Sequence, residues 1–370
     1  MKRVMLMIAL GGALVAAELT AQGPQVWSLS PDARVLGRGY DELFESVRFG
    51  RLYPGGGAVV ADAAGLFVRS YASNGFRKWT FGRDGDGPGE FRGVFGLWVS
   101  LDGTVGVWDG QTRRLTFVDS TGRLSSTVRV SSSVLDGNLE LFFGSYPNGD
   151  LLLGALRLER VPAPGQVVTE TWSLGRFSLE GQLRATLGQV EGMRRMRRAP
   201  LPFTPVSWIA LRGDSLLFVE GYENTVQVAG DVATASRRIE LPFRRSATQA
   251  AYSALERQLR ERNRGFFLDL LREAPRSEEF PQVAGLVVDD TGHVWIKEYD
   301  PERDALWLKS SAVAVAPGGT WHVVDMDGSA IATMRVPANF VLLDVARNQA
   351  LGVEHDQYDV QRVVIRQIIR

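Results

Sequence analysis

Glycine-bearing turns return along this chain at a fixed interval, and that interval limits its fold more than any other feature. Gly57, Gly103 and Gly149 stand 46 residues apart, in Pro54-Gly55-Gly56-Gly57, Leu101-Asp102-Gly103 and Pro147-Asn148-Gly149. Each is followed by a second turn: Ser73-Asn74-Gly75, Ser120-Thr121-Gly122 and Glu180-Gly181. Further on, Arg212-Gly213-Asp214 precedes Gly230-Asp231, and Thr291-Gly292 precedes Met326-Asp327-Gly328. The step within a unit is 17 to 19 residues in three units, and 32 and 36 residues in the third and fifth, which therefore carry insertions. Between the turns lie short runs of Val, Leu, Phe and Trp. The turns supply the positive φ that tight hairpins require, so the runs are read as strands. A period of about 40 to 46 residues with four short strands is what a propeller blade needs.

Six units are expected: Ser46–Phe81, Val94–Val130, Leu139–Val190, Val206–Pro242, Val283–Pro337 and Phe340–Arg370. The sixth has three strands, and Val26–Leu36 is left over to complete it. The expected fold class is therefore all-β, a six-bladed β-propeller closed by an N-terminal strand, which would hide exposed sheet edges. One segment departs from the pattern. Over Ser246–Glu273, Tyr252, Leu255, Leu259, Phe266 or Phe267 and Leu270 recur at helical spacing, with Gly265 as a break and Pro275 and Pro281 beyond, so a small helical insertion of about 246–273 is expected.

The N-terminus reads as an address. Lys2 and Arg3 precede an apolar run, Val4–Ala17, and small residues follow at Ala16, Ala17 and Ala21. The run of about 14 residues is short for a bilayer span of roughly 20. Residues 1–21 are expected to be a signal peptide and 22–370 a single mature domain, periplasmic or secreted, without a membrane span and monomeric. The balance of 42 Lys plus Arg against 42 Asp plus Glu supplies no field for nucleic acid. With no Cys among 370 residues, disulfides, thiolate metal sites and cysteine nucleophiles are excluded.

Phe81-Gly82-Arg83-Asp84-Gly85-Asp86-Gly87-Pro88-Gly89-Glu90-Phe91 resembles the inter-blade segment of NHL-repeat and secreted bacterial six-bladed propeller proteins. Leu101–Asp109 and Leu115–Gly122 resemble the strands that follow it. The match is sharp over residues 46–130 and elsewhere reduces to turn spacing. What the resemblance implies is the fold and a tendency to bind proteins or other ligands on one face; it does not fix an activity.

Function concentrates on loops held by a rigid frame. On the expected face bearing the inter-blade connections, acids end the second strands at Asp62, Asp109, Glu220, Glu298 and Glu354. Tyr222, Tyr299 and His355 extend this set, and Arg113 lies beside it. Such a rim could hold a sugar, a peptide or a hard cation. Alternatively the acids tie loop amides or pair with Arg113, Arg114 and Arg157. Arg194, Arg195, Arg197 and Arg198 form the one dense basic cluster, a candidate cationic lip facing the helical lid, suited to an acidic glycan, a carboxylate or an acidic partner. His293, His322 and His355 are not expected to converge, so a zinc centre is disfavoured. Asp84, Asp86 and Glu90 form an incomplete calcium loop and are read as an inter-blade turn. Trp108 and Trp307 are the tryptophans expected at the surface. No Gly-x-Ser-x-Gly elbow is present. These features favour a non-catalytic module for a protein or carbohydrate ligand, without a cofactor. The alternative is a calcium-dependent hydrolase or lyase of the sugar-lactonase kind, using the funnel acids.

Overall fold

The structure, a computed structural model, describes residues 23–37, 42–131, 135–157, 165–197, 199–234, 237–243, 246–306 and 315–370. The signal-like segment 1–21, Arg198 and Trp307 lie outside the described residues. After an N-terminal strand β1 (Gln25–Val35), the chain forms β2 (Val47–Leu52), β3 (Ala58–Asp62), β4 (Phe67–Tyr71) and β5 (Arg77–Phe81) as one antiparallel sheet. A second sheet holds β6 (Val94–Val99), β7 (Val105–Asp109), β8 (Arg114–Val118) and β9 (Leu124–Arg129). A third holds β10 (Asn138–Ser145), β11 (Leu151–Arg157), β12 (Val168–Phe177), β13 (Leu183–Met196) and the short β14 (Ala199–Pro200). The fourth comprises β15 (Trp208–Arg212), β16 (Ser215–Val219), β17 (Thr225–Ala229) and β18 (Arg237–Glu240).

Six separate blades do not form. The remaining strands are β19 (Val283–Val288), β20 (Val294–Glu298), β21 (Gly319–Val324), β22 (Ala330–Val336), β23 (Phe340–Ala346), β24 (Gln349–His355) and β25 (Gln361–Ile369). They join β1 in one eight-stranded sheet, ordered β19-β20-β21-β22-β1-β25-β24-β23. The physical reason is that a strand has two hydrogen-bonding edges and β1 uses both. Gln25, Val26 and Trp27 pair parallel with Ala332, Thr333 and Met334. From Ser28 onward β1 pairs antiparallel with β25, from Ser28 opposite Ile369 to Val35 opposite Val364, across an irregularity between Leu29 and Ala33. The architecture is thus an all-β fold with two helices: four sheets in a propeller-like arrangement and a nearly closed eight-stranded sheet whose end strands β19 and β23 touch.

Apolar side chains of each sheet pack on the next. Val59 and Val68 of the first meet Leu97 and Val107 of the second, and Trp98 and Trp108 meet Phe142 and Leu153 of the third. At the other end, Val341, Leu351 and Val363 of the eight-stranded sheet meet Leu52 and Val60 of the first, so the chain returns on itself. This sandwiching buries every residue of β3 and β7, whose sequences AVVAD and VGVWD are apolar on both faces. Trp108 belongs to that core: it is fully buried and its Nε1–H donates to the Glu140 carbonyl at 2.9 Å, so it is no surface residue. Among the recurring glycines, Gly57 takes φ 83°, and a Cβ there would stand 2.2 Å from the Tyr71 carbonyl oxygen.

The insertion forms α1 (Gln249–Glu261) and α2 (Gly265–Glu273). Thr248 caps α1 by accepting the Ala251 N–H at 3.2 Å, and Asn263, at φ 52°, turns the chain before Gly265. Tyr252, Leu255 and Leu259 of α1 and Leu271 of α2 pack on Phe203, Phe280 and Tyr299, fixing the helices over the connections that enter and leave the fourth sheet.

Because β1 joins the two halves of the largest sheet, its anchor should dominate stability. Trp27 is 3% exposed, its ring lies 5.7 Å from that of Trp295, and it packs in a cluster with Met334 and Ile368. Trp27→Ala is expected to lower unfolding free energy by about 3–5 kcal/mol, measured by urea denaturation. A loss below about 1 kcal/mol would show that the strand is not essential to closure.

Candidate functional site

The acids at the second-strand ends do not form a ring of free ligands. Asp62 is fully buried and accepts four backbone N–H groups, from Glu45 (2.6 Å), Ser46 (3.1 Å), Ala64 (3.0 Å) and Gly65 (2.8 Å). Asp109 repeats the device one sheet later, accepting from Arg92 (2.8 Å), Gln111 (3.0 Å) and Thr112 (2.9 Å). Glu220 accepts the Glu191 N–H at 2.9 Å, Glu298 lies 3.3 Å from His322 Nε2, and Glu354 takes Arg366 at 2.5 and 2.7 Å. Each carboxylate therefore staples a loop or neutralises a neighbouring base. Arg113 has a half-buried side chain and a left-handed backbone at φ 52°, and its carbonyl accepts the Val130 N–H.

The histidines stay apart. His293 contacts Asp289 and Thr291, His322 contacts Glu298 and lies against the Phe243 ring, and His355 Nδ1 meets Asp359 at 2.5 Å. Among the described residues no group of three or more His, Asp or Glu could hold a metal ion. The Asp84–Glu90 turn is internally paired. Arg92 takes Asp84 at 2.9 Å and Asp86 at 2.7 Å, while Glu90 takes Arg83 at 2.8 Å and the Gly87 N–H at 2.8 Å.

The arginine cluster is divided by its partners. Arg195 is buried and bonded to Glu170, whose carboxylate also accepts Trp172 Nε1–H. Arg197 pairs with Glu273 at the end of α2, 2.6 Å away, and so ties the lid to the β13 connection. Of the three described arginines, Arg194 faces an open space, with its guanidinium 5.4 Å from the Tyr222 ring centroid. Its backbone N–H donates to Thr204 Oγ1 at 2.7 Å.

That space is a cleft of about 80 Å³ between the lid and the loops entering and leaving the fourth sheet. Phe203, Tyr252 and Tyr222 give it an aromatic wall, and Arg276 stacks over Tyr252 at 5.2 Å. The Ser277 N–H donates to Tyr252 Oη at 2.9 Å, which fixes the ring, and burial raises the phenol's pKa. No acid lines the cleft, and among the described residues neither Arg194 nor Arg276 has a carboxylate partner. Phe203 and Arg276 escaped the sequence reading, and Tyr252 entered it only as a helix-face residue, since only the packed lid sets them beside Arg194 and Tyr222.

Tyr299 is not on the open rim. It is 6% exposed, packs on Phe280, and its buried hydroxyl lacks a hydrogen-bond partner. Desolvation raises it well above the ordinary phenol value. Beside it Lys297, fully buried, donates to Asp304 at 2.5 Å and to the Ala316 carbonyl at 3.1 Å. Burial lowers the ammonium's pKa and raises the carboxyl's.

A second concavity is the central channel, about 280 Å³, lined by first strands of several sheets. Its wall combines apolar side chains such as Phe143, Trp208 and Leu286 with polar groups, among them Arg48, Arg51, Asp344 and His355. The first three of these polar groups were missed because Val47-Arg48-Phe49-Gly50-Arg51-Leu52 shows charged residues on a strand without showing that they face inward.

No family model matches the sequence, and no curated protein matches it. Solved structures resemble it in fold. An exported protein of Bacteroides fragilis NCTC 9343 aligns over 93% of this chain and 96% of its own, at 11% identity and TM-score 0.54. A member of the DUF4221 family from Bacteroides vulgatus ATCC 8482 aligns over 93% and 98%, at 11% identity and TM-score 0.55. A streptogramin B lyase aligns over 92% and 97%, at 12% identity and TM-score 0.46. The two Bacteroides proteins share the propeller-like fold. Among the described residues no helix is long and apolar enough to cross a membrane.

The Lys297–Asp304 pair supports the loop beneath the lid, and its removal should be asymmetric. Asp304→Asn leaves a buried ammonium without its counter-charge and is expected to cost about 3–5 kcal/mol in denaturant unfolding. Lys297→Met combined with Asp304→Leu should recover most of that loss; equal losses for single and double variants would refute the pairing argument.

Proposed function

We propose that this chain is an exported, non-catalytic binding module that seats an acidic side chain of a protein partner in the cleft beneath the helical lid. The observation that carries this reading is the contrast within one basic segment: Arg195 and Arg197 have Glu170 and Glu273, whereas Arg194 and Arg276 lie on aromatic rings beside an acid-free cleft. A guanidinium over a ring is pre-oriented and suits carboxylate recognition; Arg276 gives one donor, from Nη1, to Gln249 Oε1 and keeps the others. Arginine and tyrosine are also the residues that concentrate binding energy at protein interfaces.

Size favours a protein over a free sugar. Small-molecule pockets occupy about 300–1,000 Å³. The cleft, at about 80 Å³, has room for one side chain rather than a sugar ring. The signal-like residues 1–21 and the likeness to an exported protein support passage out of the cytoplasm. A calcium-dependent reaction has less support, because Asp109 is engaged by three amides and Glu354 by an arginine.

The test uses residues 22–370 and a fluorescein-labelled oligoglutamate peptide, read by fluorescence anisotropy. Binding is expected to weaken at least about tenfold in Arg194→Ala/Arg276→Ala and to fall with added salt. Arg184→Ala, exposed and outside the cleft, is the control. Calcium is expected to leave the melting temperature unchanged. Failure of the wild-type protein to bind the peptide would remove the cleft reading, and a calcium-specific, EDTA-reversible rise would move the catalytic alternative ahead of it.

A further inference from the structure

The central channel is separate from the cleft and carries a different kind of site. Arg51 and Asp344 both line it, on β2 and β23. They are close enough for the guanidinium to act electrostatically on the carboxyl, yet no ion pair joins them among the described residues. Arg51 donates one bond, to the carbonyl of its neighbour Gly50 at 2.9 Å. Asp344 Oδ2 accepts the Leu52 N–H at 2.8 Å, which fixes the carboxylate beside the channel. Arg48 lines the channel from the same strand and is engaged in an interaction of its own. Arg51 and Asp344 thus face one partly open space without meeting.

That arrangement is costly when the space holds nothing suited to both charges. A half-buried ionised group is stabilised by a partner, and the neighbouring Phe143, Trp208, Leu286 and Leu343 supply none. A monovalent anion would satisfy Arg51 and leave Asp344; a monovalent cation would do the reverse. A dipolar molecule answers both. The volume, about 280 Å³, lies near the lower end of the range for small-molecule sites, enough for one small organic molecule. The apolar wall selects an uncharged, apolar remainder.

We propose that the channel binds a small zwitterion of the α-amino acid class with an apolar side chain, its carboxylate directed to Arg51 and its ammonium to Asp344. No covalent step is implied. The site is independent of the cleft, so neither reading stands or falls with the other.

Isothermal titration calorimetry with L-leucine tests this directly on residues 22–370. The comparison ligands are 4-methylpentanoate, which lacks the ammonium, and isopentylamine, which lacks the carboxylate. Leucine is expected to bind at one site, with each half-ligand at least about tenfold weaker. Asp344→Asn should erase the advantage of leucine over 4-methylpentanoate, and Arg51→Met its advantage over isopentylamine. Circular dichroism checks that both variants fold, and the half-ligand comparison in the wild-type protein decides the question even where a variant does not. The proposal is overturned if leucine produces no saturable heat up to about 10 mM. It is overturned equally if either half-ligand binds the wild-type protein as tightly as leucine, which would reveal a site for a single charge.

Discussion

The two-sided pairing of β1 is the constraint on which the remaining geometry depends. A meander can build each sheet from local hairpins, but a ring must also join segments separated by nearly the whole chain. Here residues 25–27 reach β22 and residues 28–35 reach β25. The hydrogen bonds are ordinary, and their effect comes from position. They convert two sheet edges into interior pairs, seat Trp27 against Trp295, and hold β23 where its Asp344 can face β2. The channel is therefore a consequence of closure. Its lining strands come from sheets that have no covalent reason to meet.

A second device works at the level of single loops. Buried Asp62 and Asp109 each collect amides from the strand's own turn and from the segment entering the same sheet. A buried amide without an acceptor is expensive, so one carboxylate that accepts three or four of them organises a whole corner. This explains why acids recur at second-strand ends without forming a metal funnel. A carboxylate saturated by backbone donors has little left to offer a cation.

Much of the fold was legible in the turns. The glycines at 57, 103, 149 and 292 adopt positive φ where hairpins required it, and strands lie between them in the order expected. The insertion was legible as two helices because Tyr252, Leu255 and Leu259 keep helical spacing. The count of separate blades was not legible, since a parallel pairing between β1 and β22 leaves no periodic trace in either strand. The site was read less well for the same reason. Arg194, Arg195 and Arg197 are adjacent and chemically alike in sequence, and their fates diverge through Glu170, Glu273 and Tyr222, which lie 25, 76 and 28 residues away. Trp108 likewise looked like a rim residue because it adjoins Asp109, while packing from the third sheet encloses both.

The two concavities differ in what their charges ask for. In the cleft, both arginines have aromatic rings beneath them and no acid beside them, so the shortage is of negative charge alone and one carboxylate would end it. The channel holds charges of both signs that do not touch, and adding either sign alone leaves the other uncompensated. Desolvation sharpens the difference. It raises the pKa of Asp344, so the channel disfavours that carboxylate's charge until it is paired. The cleft opens to solvent at Arg276, where water already eases the cost. A site with one missing sign suits a reversible contact with a partner's surface, and a site with two opposed signs suits a small dipolar molecule that answers both.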